Sequence, residues 1–164
     1  MSVEFSRPLR LERIGAAGLE MTVSAEAAEC EALAARMNLP AIASLICRFR
    51  IRPGPAGCIE AQGRLSAKVT QICVISLDAF PAELMEAFEI RFVPEGTEAE
   101  EPDPDSVDEI PHDGQTIDLG EVAAEQLALA LDPYPRKPGA ELPPEATPPG
   151  ENPFAPLASL RRKH

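Results

Sequence analysis

Two histidines occur in this 164-residue chain, His112 inside an acidic stretch and His164 at the last position. A histidine metal site or a catalytic triad needs imidazoles set beside other ligands or a nucleophile, and the sequence offers neither arrangement. It also holds no Gly-rich phosphate loop, no G-x-S-x-G and no H-E-x-x-H. His112 among carboxylates could touch a divalent cation, but its surroundings fit a solvated loop histidine better. The acids of Glu95–Glu109 lack the spacing and glycine of an EF-hand and read as a solvated acidic loop. Four cysteines, Cys30, Cys47, Cys58 and Cys73, contain no C-x-x-C pair. Cys30, Cys47 and Cys73 fall on apolar faces, as buried, reduced thiols do. No metal and no cofactor are expected.

One constellation remains. Arg48, Arg50 and Arg52 on one strand, with Arg64 and Lys68 on its neighbour, should project from the same side of a sheet. Three readings of that face stand: cross-strand pairing with Glu60, Glu86 and Glu89, contact with RNA phosphates, or a protein-binding face. A second charged feature runs from Pro94 to Asp132, with 13 acids and no Lys or Arg. Its residues Glu98, Glu100, Glu101, Asp103 and Asp105 suit a basic protein surface better than RNA. Metal-dependent RNA cleavage would need ordered carboxylates, so an enzyme is not expected.

The elements that must carry these residues are legible. Leu45, Cys47, Phe49 and Ile51 alternate with Ser44 and the three arginines, predicting a strand over about 42–52. Pro53–Gly57 is a turn. Ile59, Ala61, Leu65, Ala67 and Val69 alternate with polar residues, a return strand over about 58–72. Leu84, Glu86, Phe88, Ile90 and Phe92 alternate with Met85, Ala87, Glu89, Arg91 and Val93 in a third strand over about 83–93. Short links between such strands imply an antiparallel sheet. Val3, Phe5, Leu9 and Leu11 suggest a first strand, and Leu19, Met21 and Val23 another. Ser24 can cap a helix over about 25–38 whose apolar face is Cys30, Leu33 and Met37. Residues 95–111 read as a mobile loop, with order resuming at Asp113-Gly114. The D-x-x-E of Asp118–Glu121 then opens a helix over about 119–131. Nine of the 18 prolines fall between Pro133 and His164, so residues 136–164 should form a disordered tail. The expectation is one α+β domain over residues 1–135.

Composition bounds the function. A net charge of −12 and a pI near 4.6 exclude a generally basic coat for nucleic acid, and DNA is not an expected partner. No apolar stretch approaches the roughly 18 residues of a membrane span. The start lacks the basic-then-apolar run of a signal peptide, and the expectation is a cytoplasmic protein without a membrane partner.

Several segments in order resemble a known family. They are Gly63–Ala67, Cys73–Leu77, Phe88–Pro94, an acidic loop, then Ile117–Glu121 and Glu125–Leu131. Together they resemble the bacterial YceD family, the large ribosomal RNA subunit accumulation proteins. Asn152–Leu160 resembles the end of its alphaproteobacterial branch. The resemblance implies a role in synthesis, processing or accumulation of 23S ribosomal RNA. The implied partners are that RNA or its precursor, or a basic ribosomal protein or assembly factor. Many members carry C-x-x-C where this chain has Cys73 and Ser76, and further cysteines where it reads Pro133–Gly139. One thiol and one hydroxyl cannot replace four thiolates, so a zinc site is not carried over.

Overall fold

The computed structural model describes residues 3–97 and 105–144. Strand β1 (Pro8–Arg10) is followed by β2 (Leu19–Ser24) and helix α1 (Ala27–Arg36). Three long strands come next, β3 (Ala41–Pro53), β4 (Ile59–Ile72) and β5 (Ala79–Pro94). The chain then forms β6 (Asp108–His112), β7 (Thr116–Asp118) and α2 (Leu119–Ala130).

Five strands make one sheet in the order β2-β3-β4-β5-β6, antiparallel except that β5 and β6 run parallel. β1 and β7 form a separate antiparallel ribbon. The architecture is α+β, with β3, β4 and β5 where the alternation places them. Their inward residues, among them Leu45, Cys47, Ile51, Ala61, Leu65, Ala67 and Ile90, are buried, and the residues between them on β3 and β4 face water. Leu33 of α1 and Leu119, Val122, Ala123 and Leu127 of α2 complete one aliphatic core, so both helices cover the same face of the sheet. That two-layer build leaves the other face open.

A glycine lies at the centre of the sheet. Gly63 sits between Phe49 and Phe88 in register, and a Cβ there would lie 2.1 Å from the Phe88 ring. With no side chain between them, the two rings meet edge to face at 5.9 Å.

The N-terminal segment is held by the start of α2. One carboxylate oxygen of Asp118 accepts the Gly120 and Glu121 amides at 2.9 and 3.2 Å, capping the helix, and also the Arg7 amide at 2.7 Å. Its other oxygen accepts the Ser6 hydroxyl. Gly120 permits this approach, since a Cβ there would lie 2.7 Å from the Phe5 carbonyl oxygen. Arg7 then turns back to grip Glu29 with two nitrogens, at 2.7 and 2.8 Å.

Four expectations are corrected. The first strand shrinks to Pro8–Arg10, because it finds only the three residues of β7 to pair with. Ser24 ends β2 instead of capping α1, and Glu26 is the cap, its backbone N–H donating to the Glu29 carboxylate at 2.7 Å. The expected loop 95–111 ends early, since residues 108–112 form β6. Pro111 is tolerated there because β6 is an edge strand. His112 is not solvated: it is 6% exposed, and its Nδ1 accepts the Gly114 amide at 3.0 Å. Nε2 lies 3.1 Å from the Gly57 carbonyl, so the tautomer that donates from Nε2 satisfies both nitrogens. Of the expected tail, residues 145–164 lie outside the described residues. Its beginning contacts the body through Lys137, which pairs with Asp78 at 3.4 Å, just after the Val74 amide meets the Pro135 carbonyl.

Candidate nucleic-acid interface

Strand register sorts the open face into rows that run across the sheet. One row reads Glu20, Arg50, Gln62, Glu89, and the next reads Thr22, Arg48, Arg64, Ala87. A third reads Ser24, Ile46, Ser66, Met85. Beyond the first row, Arg52 sits opposite Glu60, which sits opposite Arg91. Beyond the third, Ser44 faces Lys68 and Lys68 faces Glu83. Arg48, Arg50, Arg52, Arg64 and Lys68 therefore do share one solvent-facing side.

They are not equivalent. Arg50 donates from Nε to Glu20 at 3.0 Å, and Lys68 reaches Glu83 at 3.4 Å. Arg91 meets Glu109 at 3.7 Å, and Gln62 donates its amide to Glu89 at 2.7 Å. Arg48 and Arg64 stand directly opposite each other, flanked by a threonine and an alanine. Among the described residues, neither they nor Arg52 makes a salt bridge. Of the expected acid partners, Glu60 stands opposite Arg52 without a salt bridge and Glu89 takes Gln62. Glu20 and Glu83 take the cations, while Glu86 lies opposite Leu65, out of line with the arginines. Glu20 and Thr22 share this face and are signalled in sequence only by their parity within Leu19–Val23.

The middle of this face is hollow, about 780 Å³, with Arg48, Arg50, Arg64, Gln62 and Thr22 among its walls. A smaller hollow of about 180 Å³ lies beside it, between Arg50, Arg52, Arg91 and Val107. Val107 thus brings the end of the acidic segment to the rim of the cationic face. Of the acidic candidates, Glu98, Glu100, Glu101 and Asp103 lie outside the described residues, and Asp105 is exposed two positions before Val107. Other acids of the same stretch serve the fold: Asp113 receives the Gln115 and Thr116 amides, Asp118 caps α2, and Glu121 binds Arg36 at 2.7 Å.

The thiols follow their surroundings. Burial pushes Cys47 up to about 12 and raises Cys30. Cys73 goes the other way, to about 7, because the Ser76 side chain and amide hydrogen-bond its sulfur, the amide at 3.4 Å. Its side chain is covered, at the rim of the sheet and outside the core cluster. Among the described residues, no three His, Cys, Asp or Glu side chains gather where they could hold a metal ion. No helix among them is long and apolar enough to cross a membrane.

Comparison with known proteins adds one finding. The family described as large ribosomal RNA subunit accumulation protein YceD matches residues 61–161, more than half of the chain. No curated protein and no solved structure matches. The matched span opens within β4 and takes in Arg64 and Lys68, whereas Arg48, Arg50 and Arg52 precede it. A match over more than half of the sequence shows the family: the chain belongs to the YceD family of large ribosomal RNA subunit accumulation proteins.

Proposed function

We propose that this protein supports accumulation of 23S ribosomal RNA in the cytoplasm as a binding factor, not as an enzyme, and that it holds the RNA or its precursor on the open face of the sheet. The observation that carries the reading is the opposed Arg48–Arg64 pair, two exposed guanidiniums with no carboxylate beside them in their row. Local potential, not net charge, governs such contacts, so a chain of net charge −12 can still present a phosphate-binding surface. Guanidinium forks fit phosphate oxygens in bidentate fashion.

Filter binding of 23S RNA fragments at rising salt tests this, comparing the native chain with the triple variant Arg48→Glu, Arg50→Glu, Arg52→Glu. Phosphate contacts predict affinity that falls as salt rises and is lost in the triple variant. Binding that the triple variant retains in full removes the sheet face from the account.

A further inference from the structure

Resting on that reading, the geometry points to a narrower ligand: the Arg48–Arg64 pair is a site for one phosphate group, best filled by the phosphomonoester at the end of an RNA strand.

The rows on either side set the limit. Successive outward residues along a strand lie about 6.7 Å apart. A chain of phosphates leaving the arginine pair in one direction meets Arg50 and Gln62, already held by Glu20 and Glu89, and in the other meets Ile46 and Ser66 with Met85 beside them. Met85 is 83% exposed and Ile46 42%, so that side offers apolar surface and two serine hydroxyls, but no cation until Lys68, which Glu83 already holds. Arg52 lies one row further out and stands opposite Glu60, so among the described residues the row with two cations and no acid is one row deep. A terminal phosphate carries about −1.5 to −2 charges at pH 7, against −1 for an interior diester, and so matches two guanidiniums. Thr22, beside Arg48 in the same row, adds a hydroxyl.

Bases find little to hold them. No residue of the three rows is aromatic; Phe49 and Phe88 reach the floor of the hollow, but their side chains share the parity of the core residues and their rings meet each other. Without a ring to stack on, readout of base identity has no platform. The site recognises charge at a strand end, whatever the sequence.

The test uses fluorescence anisotropy with the full chain and three RNA 12-mers, two of unrelated sequence bearing a 5′-phosphate and one of them repeated with a 5′-hydroxyl. The 5′-phosphate should tighten binding by about tenfold, the scale of one added charge-assisted contact. The two sequences should bind alike, and lowering the pH from 7.5 to 5.5 should shrink the advantage as the monoester takes up a proton near pH 6. Arg48→Gln with Arg64→Gln should erase the advantage, while Arg10→Gln, away from this face, should keep it. Thermal melts confirm that both variants fold. Inorganic phosphate should compete with the phosphorylated 12-mer in millimolar amounts, which separates recognition of the group from recognition of the strand. Equal native binding of the 5′-phosphate and 5′-hydroxyl strands overturns the inference. If both are then weakened by the arginine variants, interior diesters are the ligand and the broader reading survives. If no strand binds, both fall.

Discussion

The opposed arginines carry a cost in the free protein that can be measured without any ligand. Replacing Arg64 by Gln removes one of two like charges that face each other across β3 and β4. With Cβ atoms roughly 5 Å apart and the guanidiniums splayed to about 7 Å, repulsion in water is about 0.6 kcal/mol. Screening leaves about 0.5 kcal/mol at 0.01 M salt and under about 0.1 kcal/mol at 1 M. Arg64→Gln should therefore stabilise the fold at low salt, raising the urea midpoint by roughly 0.2–0.5 M for a slope of about 1–3 kcal/mol/M. Arg48→Gln should do the same. The double variant should gain no more than either single one, because one substitution already relieves the pair. Urea unfolding followed by circular dichroism at both salt concentrations reads all three. A destabilised Arg64→Gln, a gain unchanged at 1 M salt, or strictly additive single effects would each refute the reasoning, since each means that the two charges do not oppose one another.

Three further outcomes follow from the fold. Gly63→Ala should cost about 1–3 kcal/mol, because its methyl group displaces the Phe88 ring; an unchanged melting temperature would show that the ring moves aside freely. Asp118→Ala should cost about 2–3 kcal/mol by removing the α2 cap together with the bonds from Ser6 and Arg7. Hydrogen exchange should show residues 5–10 loosening with the first turn of α2, and protection that survives at residues 5–10 would argue against the tie. The Thr116 and Gln115 amides hold the Asp113 carboxyl below its usual range, and the Arg7 guanidinium holds Glu29 below its own. Both acids bind protons more weakly folded than unfolded. Their contribution is therefore complete above the ordinary values of 3.8 and 4.5 and is lost as pH falls through the lower folded values. Thermal melts from pH 6 to pH 3 should fall more steeply for the native chain than for Asp113→Asn, and parallel curves would contradict this.

The parts read directly from sequence are those decided by local pattern. Period-two alternation placed β3 and β4 because one face meets an aliphatic core and the other meets water. Asp118 marked the start of α2 because its cap is local. What escaped depends on contacts between distant segments. β6 shows no alternation, and it exists because β5 offers a free edge to pair with. His112 looks solvated beside its acids, yet Gly57, far away in the chain, supplies the carbonyl that lets it be buried. The same limit applies to the cationic face. Parity placed all five cations on one side, but which of them would find a carboxylate depends on register. The pairing of β2 with β3 gives Arg50 its glutamate and leaves Arg48 beside a threonine.

The family match opens at residue 61, inside the central strand of the sheet. β3 pairs with β4 from Ala41↔Thr70 through to Pro53↔Ile59, so a fragment cut at the match would strip one whole side of β4. Its amides and carbonyls would lie bare beside Leu65, Ala67 and Val69, long and flat enough to seed aggregation. The segment matched by similarity therefore depends, in this chain, on residues before it to cover one edge of its central strand.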